Sequence, residues 1–99
     1  MKSLEVITVI IANRYELENV IEYCARFFDT IREGEKNYLS AYRSADHASG
    51  LSVHIRCQLD PPETGKSLLG LQLARGLRDF GIVSHTLWIE QTESCLSKT

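Results

Sequence analysis

The chain has 99 residues, of which 43% are apolar, 24% charged and 8% aromatic. That balance excludes a multidomain protein, a disordered tail and a disulfide-stapled scaffold, and a chain of this size buries roughly 65% of the surface it exposes when unfolded. Eleven Lys and Arg against thirteen Asp and Glu leave a net charge of −2, which points to neither a nucleic acid nor an anionic membrane as partner.

Leu4–Ala12 is β-branched and apolar on both alternations, Leu4, Val6 and Ile10 on one side and Ile7, Val9 and Ile11 on the other. A strand with one wet face alternates polar and apolar, so this one is expected to be central and covered on both faces. It is too short for a membrane span of about 20 residues. Glu5 interrupts the run, and small residues are missing at a signal-cleavage position. Asn13 is placed as an N-cap, with Glu16 three residues later able to bond back to its amide. The helix that follows carries Leu17, Val20, Ile21, Cys24, Phe27, Phe28 and Ile31 at spacings of three and four, a single apolar stripe. Glu22 with Arg26 and Asp29 with Arg32 are spaced as solvent-side neighbours, and Gly34 stops the helix.

Tyr38–Ser44 and Leu51–Leu59 are expected to form a hairpin about Asp46–Gly50. Leu51, Val53, Ile55, Cys57 and Leu59 make one face of the second strand, and Ser52, His54, Arg56, Gln58 and Asp60 the other. A five-residue turn opposes Ala41 to Ile55 and sets Tyr38, Ser40 and Tyr42 beside His54 and Arg56. A one-residue slip would turn the tyrosines to the core. Pro61-Pro62 ends the strand. A second helix then runs to about Phe80 on a stripe of Leu69, Leu73, Leu77 and Phe80, with Gly81 as its stop. Leu68 and Leu71 lie off that stripe, and Gly70 and Gly76, each costing about 1 kcal/mol against Ala, are positions for close packing or a local break. Ile82–Gln91 is the last strand. Its core-facing set is Val83, Leu87 and Ile89, with His85 among them as a core histidine whose polar atoms are satisfied. Trp88 falls on the opposite alternation. Residues 1–91 make one domain and 92–99 a polar tail.

The order βαββαβ describes an α+β ferredoxin-like plait, a four-stranded antiparallel sheet with two helices on one face. Its other face would then carry the aliphatic side of the first strand with His54, Arg56 and Trp88, too apolar for a monomer. A second copy packed sheet to sheet, a homodimer, is the economical cover.

Candidate chemistry is sparse. Thr64-Gly65-Lys66-Ser67 stands where a P-loop would, but Asp60 replaces the first glycine and two prolines remove amide donors. Asn13-Arg14 lacks a glycine-rich cradle and is followed by Glu16 and Glu18, so no phosphate site is expected there. His47, His54 and His85 have no metal-ligand spacing, and neither a metal nor another cofactor is expected. The strand Leu51–Leu59 lacks the aromatics that RNA-binding sheets stack on bases. Cys24, Cys57 and Cys95 form no CxxC pair, as expected of reduced thiols in a cytoplasmic protein. His54, beside Arg56, is the one candidate catalytic base. Tyr42, His54, Arg56 and Trp88 are the candidate ligand-binding set.

From Leu4 to Gln91 the element order and lengths resemble the dimeric α+β barrel group, whose best-known members are the antibiotic biosynthesis monooxygenases. That family often runs an aromatic and acidic third strand into a helix with a histidine. The corresponding stretch here is His54–Pro62, and the second helix has no histidine, so no catalytic residue carries over. Two functions follow as expectations: a dimeric module binding a small organic ligand on its sheet, or a cofactor-independent monooxygenase. The latter would act on an aromatic or polyketide-like substrate that supplies its own carbanion.

Overall fold

Apolar residues on both alternations make the first strand, β1 (Ser3–Ile11), the one on which the others assemble. In the computed structural model, which describes residues 3–31, 39–57 and 65–91, it is followed by α1 (Leu17–Asp29), β2 (Leu39–Arg43), β3 (Gly50–Cys57), α2 (Leu68–Leu77) and β4 (Gly81–Ile89). The strands form one antiparallel sheet in the order β2-β3-β1-β4, with β1 paired to both β3 and β4. The chain is thus an α+β ferredoxin-like plait. No helix among the described residues is long and apolar enough to cross a membrane.

One side of the sheet is the core. Ile7, Val9 and Ile11 of β1 and Leu51, Val53 and Ile55 of β3 are buried there against Val20 and Cys24 of α1 and Leu73, Ala74 and Leu77 of α2. Burial pushes the Cys24 thiol up to about 11, which leaves it a small inert hydrophobe. The alternation of β4 is as expected: Val83, His85, Leu87 and Ile89 are half-buried and Ile82, Ser84, Thr86 and Trp88 exposed.

Three local expectations are corrected. Asn13 caps a 3-10 turn (Arg14–Glu16), its Oδ1 accepting the Tyr15 amide at 3.0 Å. Glu16 makes no capping bond in return, because the extra turn ends on it and places it as the N-cap of α1. The α2 helix ends at Leu77 with Arg78 as its C-cap, short of Gly81, which opens β4 instead. The hairpin turn is Ala45–Ser49, one position earlier than expected. Ser44 Oγ accepts the amides of Asp46 and His47, and the Ser44 amide bonds the Gly50 carbonyl at 2.9 Å. Moving a five-residue turn by one position shifts the pairing by two, so Ala41 faces Val53 rather than Ile55. An even shift preserves the face, and Tyr42 stays on the side away from the helices.

Both helix glycines serve close packing. The Tyr23 hydroxyl of α1 occupies the place of a side chain at Gly76, while its ring packs on Phe80 at 5.6 Å. Gly70 admits a carboxylate, described below. Glu22 and Arg26 pair at 2.8 Å on the solvent side of α1. Arg32, Gly34, Tyr38, Pro61, Pro62, Thr64, Cys95 and the 92–99 tail lie outside the described residues.

The two sides of α2 set up a comparison at fixed chemistry, since Leu73 is fully buried and Leu68 is 71% exposed. Leu73→Ala is expected to cost about 2–5 kcal/mol of unfolding free energy and Leu68→Ala to stay within about 0.5. Urea denaturation of both variants checks this. Similar losses would mean that α2 seats on another face.

Candidate functional site

The sheet face opposite the helices has no cover among the described residues. Its side chains fall into cross-strand rows set by the pairing. Arg56, Leu4 and Trp88 form the first row, and Ser40, His54, Val6 and Thr86 the second. Tyr42, Ser52, Thr8 and Ser84 follow, and Gly50, Ile10 and Ile82 close the face. Trp88 is 61% exposed and Ile82 78%, with Ile10 and Tyr42 about half exposed. These are large apolar groups left in water.

Among the described residues, a cleft indents this surface at each end of β1. The first, about 320 Å³, is lined by Leu4, Arg56 and Trp88, with Ser3, Cys57, Ile89 and Glu90 at the sheet end. Trp88 forms its aromatic wall, fixed by an indole N–H that donates to Thr86 Oγ1 at 3.0 Å. The second, about 270 Å³, runs from Thr8 and Ile10 to Tyr42, Ser52 and the hairpin residues Ser44 and His47.

The four expected ligand-binding residues therefore share one face but not one cleft. Arg56 and Trp88 meet in the first, Tyr42 lies in the second, and His54 stands between the two and lines neither. His54 touches Tyr42, with ring centroids 4.7 Å apart, and its Nε2 shares a 2.9 Å hydrogen bond with Ser52 Oγ. Across from it, Ser40 Oγ is buried without a hydrogen-bond partner among the described residues. Burial, and secondarily the Arg56 guanidinium, lower the His54 pKa, so its ring is neutral at pH 7. A neutral imidazole can accept a proton, although Ser52 already engages one of its nitrogens.

A second polar group lies on the helix side. Glu5 and His85 are among the least exposed ionisable side chains described, at 6% and 7%, and His85 Nε2–H donates to Glu5 Oε1 at 2.9 Å. Glu5 Oε2 accepts the backbone N–H of Ser67 at 3.1 Å. The sequence reading found His85 as a satisfied core histidine but missed its partner. The available signal was a lone carboxylate on the buried alternation of a central strand, which must be paired to be tolerated. Among the described residues no group of three or more His, Cys, Asp or Glu side chains could hold a metal.

Comparison with solved structures bears out the α+β ferredoxin-like plait. The chain is similar to SnoaB, a cofactor-independent oxygenase from Streptomyces nogalater, in a structure determined to 1.9 resolution: TM-score 0.55, 16% identity, 92% of this chain and 94% of that one. An alanine mutant of the same oxygenase matches with TM-score 0.54 and 16% identity over 96% of both chains. At that identity the likeness is one of fold. No protein-family model matches the sequence, and no curated protein matches it.

Because its folded pKa lies below 6.5, His54 contributes stability that is fully present above that value and is lost as pH falls toward the folded pKa. Ring-proton NMR is expected to show His54 titrating below 6.5, with Arg56→Ala moving the midpoint part of the way back because burial is the larger cause. A midpoint at or above 6.5 would contradict the environment described.

Proposed function

We propose that the chain is a two-copy binding module, with open sheet faces packed together, that takes a small aromatic ligand in the cleft of Leu4, Arg56 and Trp88. The observation that carries this reading is the placement of an arginine and an exposed indole around one apolar cleft. The indole offers a stacking wall, and the guanidinium offers a planar fork for a carboxylate or quinone oxygen. Ile10, Tyr42 and Ile82, exposed on the same face, are the apolar surface that a second copy would cover. Tyr42 and His54 would then border the seam between copies.

A second reading is favoured by the fold likeness to a cofactor-independent oxygenase. Such an enzyme would use an aromatic or polyketide-like substrate as its own source of electrons for oxygen, once a base has removed a proton to form the carbanion. His54, neutral at pH 7, is the residue of this face suited to that step. It would have to exchange the Ser52 bond for the substrate. The two readings part at His54→Ala, which leaves ligand affinity largely intact in a module and removes most turnover in an enzyme.

Trp88 is the chain's one tryptophan, so its fluorescence reports on the cleft without labelling. Titration with naphthoate and with a hydroxynaphthoquinone is expected to give a saturable change below about 1 mM for at least one of them. Arg56→Ala is expected to weaken that binding about tenfold, the loss of one charge-assisted contact. No saturation with either probe, or saturation indifferent to Arg56, would contradict the assignment.

A further inference from the structure

A buried carboxylate hydrogen-bonded to a histidine is the usual form of an acid–base pair, but the surroundings of Glu5 and His85 give the pair another task. Ser67 is the N-cap of α2, and its Oγ accepts the Gly70 amide at 2.9 Å. In a capping box, a Glu at that third helical position reaches back to the N-cap N–H. Here the position is Gly70, and α2 has no acidic residue in its first turn. The bond that a capping-box Glu would make is made by Glu5, from the neighbouring sheet.

Space for it exists only because position 70 lacks a side chain. A Cβ there would collide with Glu5 Oε1 and stand 3.1 Å from His85 Nε2. Of the other residues of the first turn, Leu68 and Leu71 face solvent, while half-buried Leu69 packs against the core. The inward contacts of this end of the helix are therefore Leu69, the glycine backbone and the carboxylate. The end beyond Gly70 is held differently, by fully buried Leu73 and Leu77.

We infer that Glu5, with His85 holding its second oxygen, is a latch that completes the capping box of α2 from the sheet and fixes the first turn of the helix to β1 and β4. The carboxylate's negative charge faces the positive end of the helix, the favourable sense. His85 supplies a donor to the oxygen that would otherwise be buried unpaired. Releasing the latch frees the first turn of α2 while the Leu73–Leu77 end stays packed, a local opening rather than global unfolding.

Amide hydrogen exchange tests this with the full chain. Glu5→Ala is expected to speed exchange of the Ser67 amide about tenfold relative to the amides of the Leu73–Leu77 end, the range of a lost cap. Gly70→Glu is expected to reverse sign with background. It destabilises the natural chain, where it strikes Glu5, but in the Glu5→Ala chain it restores Ser67 protection by completing the box within the helix. Equal harm from Gly70→Glu in both backgrounds, or a Ser67 amide indifferent to Glu5→Ala, would overturn the inference. If Glu5→Ala does not fold, Glu5→Gln, which keeps an acceptor oxygen of similar reach, is expected to hold Ser67 protection within about threefold of the natural chain. A loss of about tenfold in that variant would overturn it equally.

Discussion

The structure depends on a central strand that is apolar on both of its sides. Ile7, Val9 and Ile11 of β1 are driven to one face of the sheet, where α1 and α2 cover them. Leu4, Val6 and Ile10 are driven to the other face by the same two-residue period, and no third layer covers them among the described residues. Strands β3 and β4, paired on either side, meet this differently. β3 carries Ser52, His54 and Arg56 on the open face, a polar surface suited to water, whereas β4 adds Trp88 and Ile82. The open face is consequently greasy along β1 and toward one edge. The two clefts, the position of the indole and the proposed second copy all descend from that asymmetry.

Glu5 is the ionisable residue of β1 on the covered side, and the surrounding architecture accommodates it. A buried carboxylate costs several kcal/mol unless its oxygens are paired. One oxygen meets a helix-terminal N–H and the other an imidazole, and each partner comes from a different element. This polar junction therefore fixes how α2 sits over β1 and β4 in a way that apolar packing, which tolerates sliding, does not. It also separates the chemistry of the two faces. His85, its ring covered against Glu5, serves the fold, whereas His54 stands on the open face beside Arg56.

Much of this was legible because period and face are written locally. The alternation of Leu51, Val53, Ile55 and Cys57 against Ser52, His54 and Arg56 assigns the two faces of β3 without knowledge of its partners, and the same logic places Trp88 outside. The stripe of α1 and the stop signals between elements yield the βαββαβ order. What escaped depended on neighbours distant in the chain or on small choices in loops. Glu5 and His85 are 80 positions apart, and nothing near either names the other. Gly70 reads as a helix weakness until the carboxylate above it is known. The hairpin register turned on whether Gly50 belonged to the turn or the strand, and Ser44, bonding two turn amides, settled it. Tyr42, His54, Arg56 and Trp88 lie on the face that alternation assigns them but do not share one cleft, because a row of a sheet can be read from alternation and the depth of its surface cannot.

The proposed second copy is tested most directly by sedimentation equilibrium of the purified chain across a hundredfold range of concentration. The account predicts a mass of two chains over the micromolar range, with any dissociation confined to the most dilute samples. A mass of one chain throughout, with the Trp88 and Ile82 surface left in water, would contradict it.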